Sequence, residues 1–218
     1  FMTWLWNSWK ISILAASFNL LLAAMAAYAF SRFRFRGRRL GLLSLLLVQV
    51  FPQYVMFIAI FLILQRIGVV FPAIGLNTHA GLILVYLGGA IGFNTFLIKG
   101  FMDSVPMSLD EAARVDGAGP SLIFWRIILP LTRPILAVIF IITVVNTFSE
   151  YLLARTLLRS TSQLTYILGL QNYTIAEYSS KWGELAAGAV VGALPIVLTF
   201  LIAQKAIVSG LTQGSVKG

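Results

Sequence analysis

Apolar residues run through this chain in five long blocks, and polar residues collect in the short intervals between them. A helix that crosses a bilayer needs about 20 mostly apolar residues at a rise of about 1.5 Å each. Residues 9–30, 40–64, 81–98, 131–153 and 185–208 meet that requirement. The pattern therefore predicts an all-α, polytopic membrane bundle, with residues 1–218 forming one transmembrane domain. Pro52 and Pro195 fall inside the second and fifth blocks. Each lacks a backbone N–H and invites a kink. Gly88, Gly89 and Gly92 in the third block, and Gly183, Gly188 and Gly192 in or near the fifth, predict close helix packing rather than a ligand role.

Composition supports lipid as the solvent of these blocks. Of the 218 residues, 59% are hydrophobic and 11% charged, whereas a soluble domain is about half apolar and about a quarter charged. The absence of Cys excludes disulfides and thiolate chemistry, and one His cannot build a multi-histidine metal centre. The sequence holds no Ser/His/Asp set, no HExxH and no phosphate-binding glycine loop. The opening Trp4, Trp6 and Trp9 read as an interfacial belt. The start at Phe1 has neither the basic leader nor the cleavage site of a signal peptide.

Charge gives the blocks an orientation. Arg32, Arg34, Arg36, Arg38 and Arg39 crowd into "SRFRFRGRR" between two spans. Such a run occurs in nucleic-acid binders, but between two spans it reads as a cytoplasmic loop. Placing it inside puts eleven Lys and Arg on the cytoplasmic side and five outside, with the C-terminus inside. Two long intervals then lie outside: 65–80, containing "GLNTH", and an extracytoplasmic loop at 154–184, containing "QNYTIAEY".

The cytoplasmic segment 103–130 is the least lipid-like part of the chain. Four of the seven acidic residues fall there: Asp103, Asp110, Glu111 and Asp116. Ser108 and Glu111 have capping-box spacing, and acids suit a helix N-terminus, so a short helix is predicted from about Leu109. Gly117, Gly119 and Pro120 punctuate it. Pro120 fits the first turn of a second helix over about 121–129, which Pro130 closes. A helix meant to lie on lipid is basic with large apolar residues. The first helix is acidic and Ala-rich, which suits docking on a protein.

The segment matches a signature in full: Glu111-Ala112-Ala113, three residues, Gly117, nine residues, Ile127, one residue, Leu129-Pro130. This is the EAA motif of ATP-binding-cassette (ABC) importer permeases, which the chain resembles along essentially its whole length. "GLNTHAG", "YLGG", "LPLTRPILAVIFI" and "GLTQGSVKG" are similar to the maltose/maltodextrin branch. The family has six spans, so the chain is expected to begin at the second.

The resemblance implies a type I ABC importer fold and residue roles. Glu111, Ala112, Ala113, Arg114, Asp116, Gly117, Leu129 and Pro130 dock on a cytoplasmic homodimeric ABC ATPase, with Glu111 meeting one of its basic residues. Gly117 allows the turn between the two short helices, and Pro130 and Pro134 set the angle to the fourth span. Gln213, Gly214 and Lys217 in the tail, which alone reads as a frayed end, reach the ATPase. Gln171, Asn172 and Tyr173 contact an extracytoplasmic sugar-binding protein, although Tyr and Trp there also mark a membrane interface. A second permease subunit completes the path in a bacterial or archaeal cytoplasmic membrane. No cofactor binds this chain; ATP and Mg belong to the ATPase. Gln49, Asn94, Asn146 and Glu150 are polar candidates for the translocation path. For Glu150, a gate or a structural pairing with water or Arg155 is weighed against sugar contact.

Three other classes compete with this reading. A secondary transporter needs an ion site near the bilayer midplane, and no span has a central acid. A scaffold or a membrane enzyme leaves the docking segment unexplained. Within the family, trehalose, glycerol phosphate and arabinose oligomers stand beside maltose as substrates.

Overall fold

The computed structural model describes residues 1–50, 53–173 and 181–215, with the backbone alone at 53–54 and 202–215. All regular structure among them is helical. The helices are α1 (Met2–Arg32), α2 (Arg38–Val50), α3 (Phe57–Val70), α4 (His79–Ser104), α5 (Met107–Val115), α6 (Pro120–Ile123), α7 (Leu129–Leu131), α8 (Arg133–Phe148), α9 (Leu152–Leu157), α10 (Tyr166–Gln171) and α11 (Trp182–Ser215).

Three of the five predicted spans appear as single helices with altered limits, a fourth appears as a bent pair, and the second does not form one span. Among the described residues, α1, α4 and the 182–201 part of α11 are each long and apolar enough to cross a membrane. The stretch Pro120–Leu131 with Arg133–Phe148 qualifies as one broken span, bent by 76°. The second block is not one helix: α2 and α3 are separate, with a 3₁₀ turn at Gln53–Met56 leading into α3. The sequence places Pro52, which cannot donate to a helical ladder, in that gap. At Pro195, by contrast, α11 stays one helix. α4 runs past its apolar block because Lys99 and Asp103 form an i,i+4 ion pair on its last turns. α11 carries helix through the polar tail as far as Ser215.

The contacts divide into two compact units. Unit 1 combines residues 1–18, 52–89 and 141–202. Its core is built from Ile11, Leu64, Leu82, Leu153, Leu157, Leu158, Leu164 and Leu168. A second cluster joins Phe148, Tyr166 and Leu170. Glycine lets elements come close here: a Cβ on Gly192 would stand 2.1 Å from the Tyr166 ring, and one on Gly169 2.1 Å from the Trp4 indole. Unit 2 combines residues 19–51, 90–140 and 203–218. Its core gathers Ala23, Ala24, Ala27 and Tyr28 of α1, Ile98 and Met102 of α4, Ala113 of α5, and Ile123, Phe124 and Ile128. The small residues of α1 give its neighbours room for close approach. Gly92 packs against the Leu45 carbonyl, which a Cβ would meet at 2.7 Å.

Large apolar side chains elsewhere face outward. α1 exposes Ile13, Leu14, Phe18, Leu21, Leu22 and Met25, and α11 exposes Val190, Leu194, Val197, Leu198 and Leu201. A water-soluble surface does not carry rows of this kind; hydrocarbon accepts them at no cost. Gly192→Val is expected to destabilise the protein by about 1–3 kcal/mol through overpacking against Tyr166, read as a lower melting temperature in detergent, while Ala189→Val in the same helix leaves it near native.

Candidate functional site: the segment between α4 and α8

The motif segment folds as a compact elbow in unit 2. Pro106 precedes α5 with φ −56° and ψ 133°, and the helix starts at Met107. The predicted capping box does not form, because this earlier start places Ser108 inside the first turn and the cap carries no side-chain hydrogen bond. Gly117 adopts φ +83°, a left-handed conformation that favours glycine, so the predicted turn is there. Pro120 opens α6 from the Gly119 cap.

Pro130 does not close the second helix. Phe124–Ile128 widens into a π turn, with the Leu129 N–H donating to the Phe124 carbonyl. α7 follows, and the 76° bend comes at Thr132. Pro130 and Pro134 supply no N–H, so carbonyls on this stretch lose their helical donors. The Thr132 hydroxyl also donates to the carbonyls of Ile128 (3.0 Å), which already accepts the Thr132 N–H, and Leu129 (3.1 Å), tying the chain together at the bend.

The acids divide into two kinds. Asp103 accepts from Ser31 Oγ (2.7 Å) and from Lys99 Nζ (2.5 Å). Asp110 is buried against Arg32, with Nε 3.2 Å from Oδ2 and side-chain exposures of 1% and 3%. The angle at Nε misses hydrogen-bond geometry, so charge and proximity hold this pair. Arg32 also donates from Nη2 to the Val105 carbonyl (3.0 Å). Glu111 and Asp116 are exposed.

Helical geometry explains the split. Successive residues on α5 are about 100° apart. Asp110 and Ala113 turn inward together, and Ser108, Glu111, Ala112 and Val115 share the outward face. Val115 is 88% exposed. Arg114 and Gly117 are also exposed, and Leu129 and Pro130 are half-buried. Leu122 and Trp125 add exposed apolar surface beyond the turn. Of the predicted docking residues, Glu111 and Ala112 lie on this open face, Arg114, Asp116 and Gly117 are exposed near it, Leu129 and Pro130 are half-buried, and Ala113 is anchored within. Sequence reasoning missed the Arg32–Asp110 pair. Arg32 reads as one of five loop arginines, yet it ends α1 and is buried, whereas Arg34, Arg36 and Arg39 are exposed and Arg38 is half-buried.

The other candidates lie elsewhere. Asn94 Nδ2 donates to Asn19 Oδ1 (2.6 Å), buried in unit 2. Gln49 is half-buried, and Asn146 is exposed. In unit 1, Glu150 accepts from Tyr86 Oη (2.8 Å) and from the amides of Leu153 (2.8 Å) and Ala154 (3.0 Å). Its partners are therefore the start of α9 and a tyrosine rather than Arg155. Gln171 accepts from Tyr151 Oη (2.5 Å), Asn172 is exposed, and Tyr173 meets Trp4 edge-on. Gln213 and Gly214 lie on α11 with undescribed side chains, and Lys217 lies outside the described residues.

"GLNTH" proves to be a clamp. Asn77, at φ 57°, accepts from the amides of Arg159 and Ser160 (2.9 Å each) and donates to Ser160 Oγ (2.6 Å). His79 Nε2 meets the Gln163 carbonyl (2.9 Å). From α1, Asn7 donates to the carbonyls of Ser162 (2.9 Å) and Leu164 (3.0 Å), and Trp4 to that of Thr161 (3.2 Å). The stretch 157–164 is thereby held from two sides. Trp4 is a loop anchor in addition to any interfacial role.

Residues 19–213 match the family described as binding-protein-dependent transport system inner membrane component. The chain belongs to this family. It is a multi-pass inner-membrane permease component. The permease is 43% identical over 217 residues to the maltose/maltodextrin transport system permease protein MalG of Photorhabdus laumondii, covering 100% of this chain and 73% of that protein. The MalG protein of Escherichia coli K12 is 43% identical over 215 residues, covering 99% and 72%. Among solved structures, a bacterial ABC transporter involved in the import of the acidic polysaccharide alginate shares the fold (TM-score 0.72, 24% identity, 92% of this chain and 74% of that one). So does the inward-facing MetNI methionine ABC transporter (TM-score 0.71, 15% identity, 95% and 94%).

Asn77→Ala is expected to cost about 0.5–1.5 kcal/mol by removing its exposed hydrogen bonds to the Arg159 and Ser160 amides and straining the left-handed backbone. Asn77→Gly relieves the strain alone, so its melting temperature in detergent should fall between those of Asn77→Ala and the native protein.

Proposed function

We propose that this permease is one half of the translocation path of an ATP-driven importer for maltose and malto-oligosaccharides. It works with a second permease subunit, a homodimeric cytoplasmic ABC ATPase and an extracytoplasmic sugar-binding protein. The observation that carries the coupling role is the outward face of α5: Glu111, Ala112 and Val115 open to a partner, and Asp110 and Ala113 anchored behind them. An apolar, acid-rimmed helix exposed on a chain of this composition suits a cleft on a protein. The sequence holds no phosphate-binding glycine loop, and ATP and Mg are assigned to the ATPase.

The mechanism follows from the elbow. ATP binding closes the ATPase dimer and carries the docked helices with it. The widened turn at Phe124–Ile128 and the bend at Thr132 join α5 and α6 to α8, so displacement of the docking face becomes a swing of the span. Alternating access then opens the path outward and inward in turn. Among the path candidates, Asn146 is exposed, whereas Asn94 and Glu150 hydrogen-bond within the protein. The 154–184 loop is assigned to the binding protein, with Asn172 as its most open described candidate, and the tail residues Gln213, Gly214 and Lys217 to the ATPase. With the 103–130 segment and the C-terminus on the cytoplasmic side, positive charge lies inside.

The substrate reading rests on the MalG relatives at 43% identity. The solved neighbours carry other cargo, a polysaccharide and an amino acid, so fold alone does not choose. Glu111→Lys is expected to lower copurification of the ATPase and maltose-dependent ATP hydrolysis at least about tenfold, by reversing charge on the rim of the docking face. Unchanged association and transport would refute the coupling assignment. Sugar specificity is read separately, from ATPase stimulation by binding proteins loaded with maltose, trehalose or glycerol phosphate.

A further inference from the structure

The last turn of α1 grips the docking segment at its entry, its middle and its exit. Ser31 Oγ donates to Asp103 on the end of α4, and Arg32 Nη2 to the Val105 carbonyl. Arg32 Nε pairs with Asp110 on α5. Tyr28 Oη donates to the Pro120 carbonyl (3.1 Å) at the start of α6, and its ring packs on Phe124 with centroids 5.0 Å apart. Tyr28, Ser31 and Arg32 have i, i+3, i+4 spacing and share one face of α1. The chemistry at the centre is unusual for a structural contact. Both Asp110 oxygens are buried and accept no hydrogen bond, so the guanidinium charge is what compensates the carboxylate.

We propose that Arg32 is a positioning residue for energy coupling. Through Asp110 it fixes the rotation of α5 about its own axis, which sets the direction of Glu111 one residue on. It also makes α1 a second route, beside the bend at Thr132, by which movement of the docked helix enters the lipid-crossing spans. Separating or rotating α5 against α1 leaves two charges unpaired where water is excluded, so the two helices move as one piece. An apolar contact of equal size tolerates sliding and turning. The inference rests on the docking role proposed above.

The test uses the full transporter in lipid nanodiscs, with the maltose-loaded binding protein as the stimulus. Arg32→Met with Asp110→Leu removes both charges and keeps apolar volume. This double variant is expected to assemble with the ATPase and melt near the native temperature, while the ratio of stimulated to basal ATP hydrolysis falls at least about fivefold, the lower end of ordinary coupling strengths. A native ratio would overturn the proposal and assign the pair to stability. Should the double variant fail to assemble, Asp110→Asn gives a near-isosteric readout of the same ratio, and a native ratio there overturns it as well. Failure of both to assemble assigns the pair to folding alone and equally sinks it. The docking reading is judged apart from these outcomes. The chain has no Cys, so Val115→Cys in an otherwise native chain offers one thiol for a maleimide–succinimide cross-linker. A link to the ATPase upholds docking whatever the pair variants do, and no link refutes it.

Discussion

A guanidinium and a carboxylate lie 3.2 Å apart, nearly out of reach of water, where the end of α1 meets α5. Two buried charges are costly separately and tolerable together; losing one partner of such a pair costs about 3–5 kcal/mol. That constraint orders much of unit 2. With Asp110 drawn inward, Ala113 follows it into the core, and the opposite face of α5 has no choice but to point away. The neighbouring contacts of Tyr28, Ser31 and Val105 add fixed points around the same turn. The motif helix is short, nine residues, and too short to be stable alone in water. Its orientation is therefore a tertiary property, lent by a helix that crosses the membrane.

The same economy recurs in unit 1 with hydrogen bonds in place of charge. Asn77 occupies a left-handed backbone position and uses both ends of its amide on the 159–160 turn. Asn7, Ser8 and Trp4 of α1 hold the following residues. Glu150, an acid in a largely apolar chain, is satisfied by the amides at the start of α9 and by Tyr86. Each of these residues is tied to a specific backbone partner. In both units a few polar contacts specify geometry, and the large apolar surface supplies the cohesion with lipid and core.

Proline and glycine act as the joints. Gly117 turns the chain between α5 and α6 with a positive φ. Pro130 and Pro134 withhold their N–H groups over the stretch that widens and then bends by 76°. Pro195 lies inside α11 without ending it. The missing N–H is common to all of these prolines, and a bend appears where two of them fall four residues apart beside the widened turn.

The sequence by itself determined the all-helical membrane class, four of the five apolar spans in outline, the EAA segment and its turn at Gly117. Those follow from local rules: apolar length, missing donors and permissive backbone, each of which is a property of a few consecutive residues. It could not say which of the four acids of the docking segment face inward. Asp103, Asp110, Glu111 and Asp116 look alike in a row of letters, and the capping box at Ser108 and Glu111 looked sound. Nor could it separate buried Arg32 from the four other arginines of its cluster, or see that "GLNTH" is a clamp. Each of those outcomes depends on a partner distant in the chain, 78 positions away for Asp110 and more than 80 for the Asn77 contacts. Only the tertiary structure decides such pairings, because a charge or an amide buried from water must be matched in space, and sequence spacing does not carry that distance.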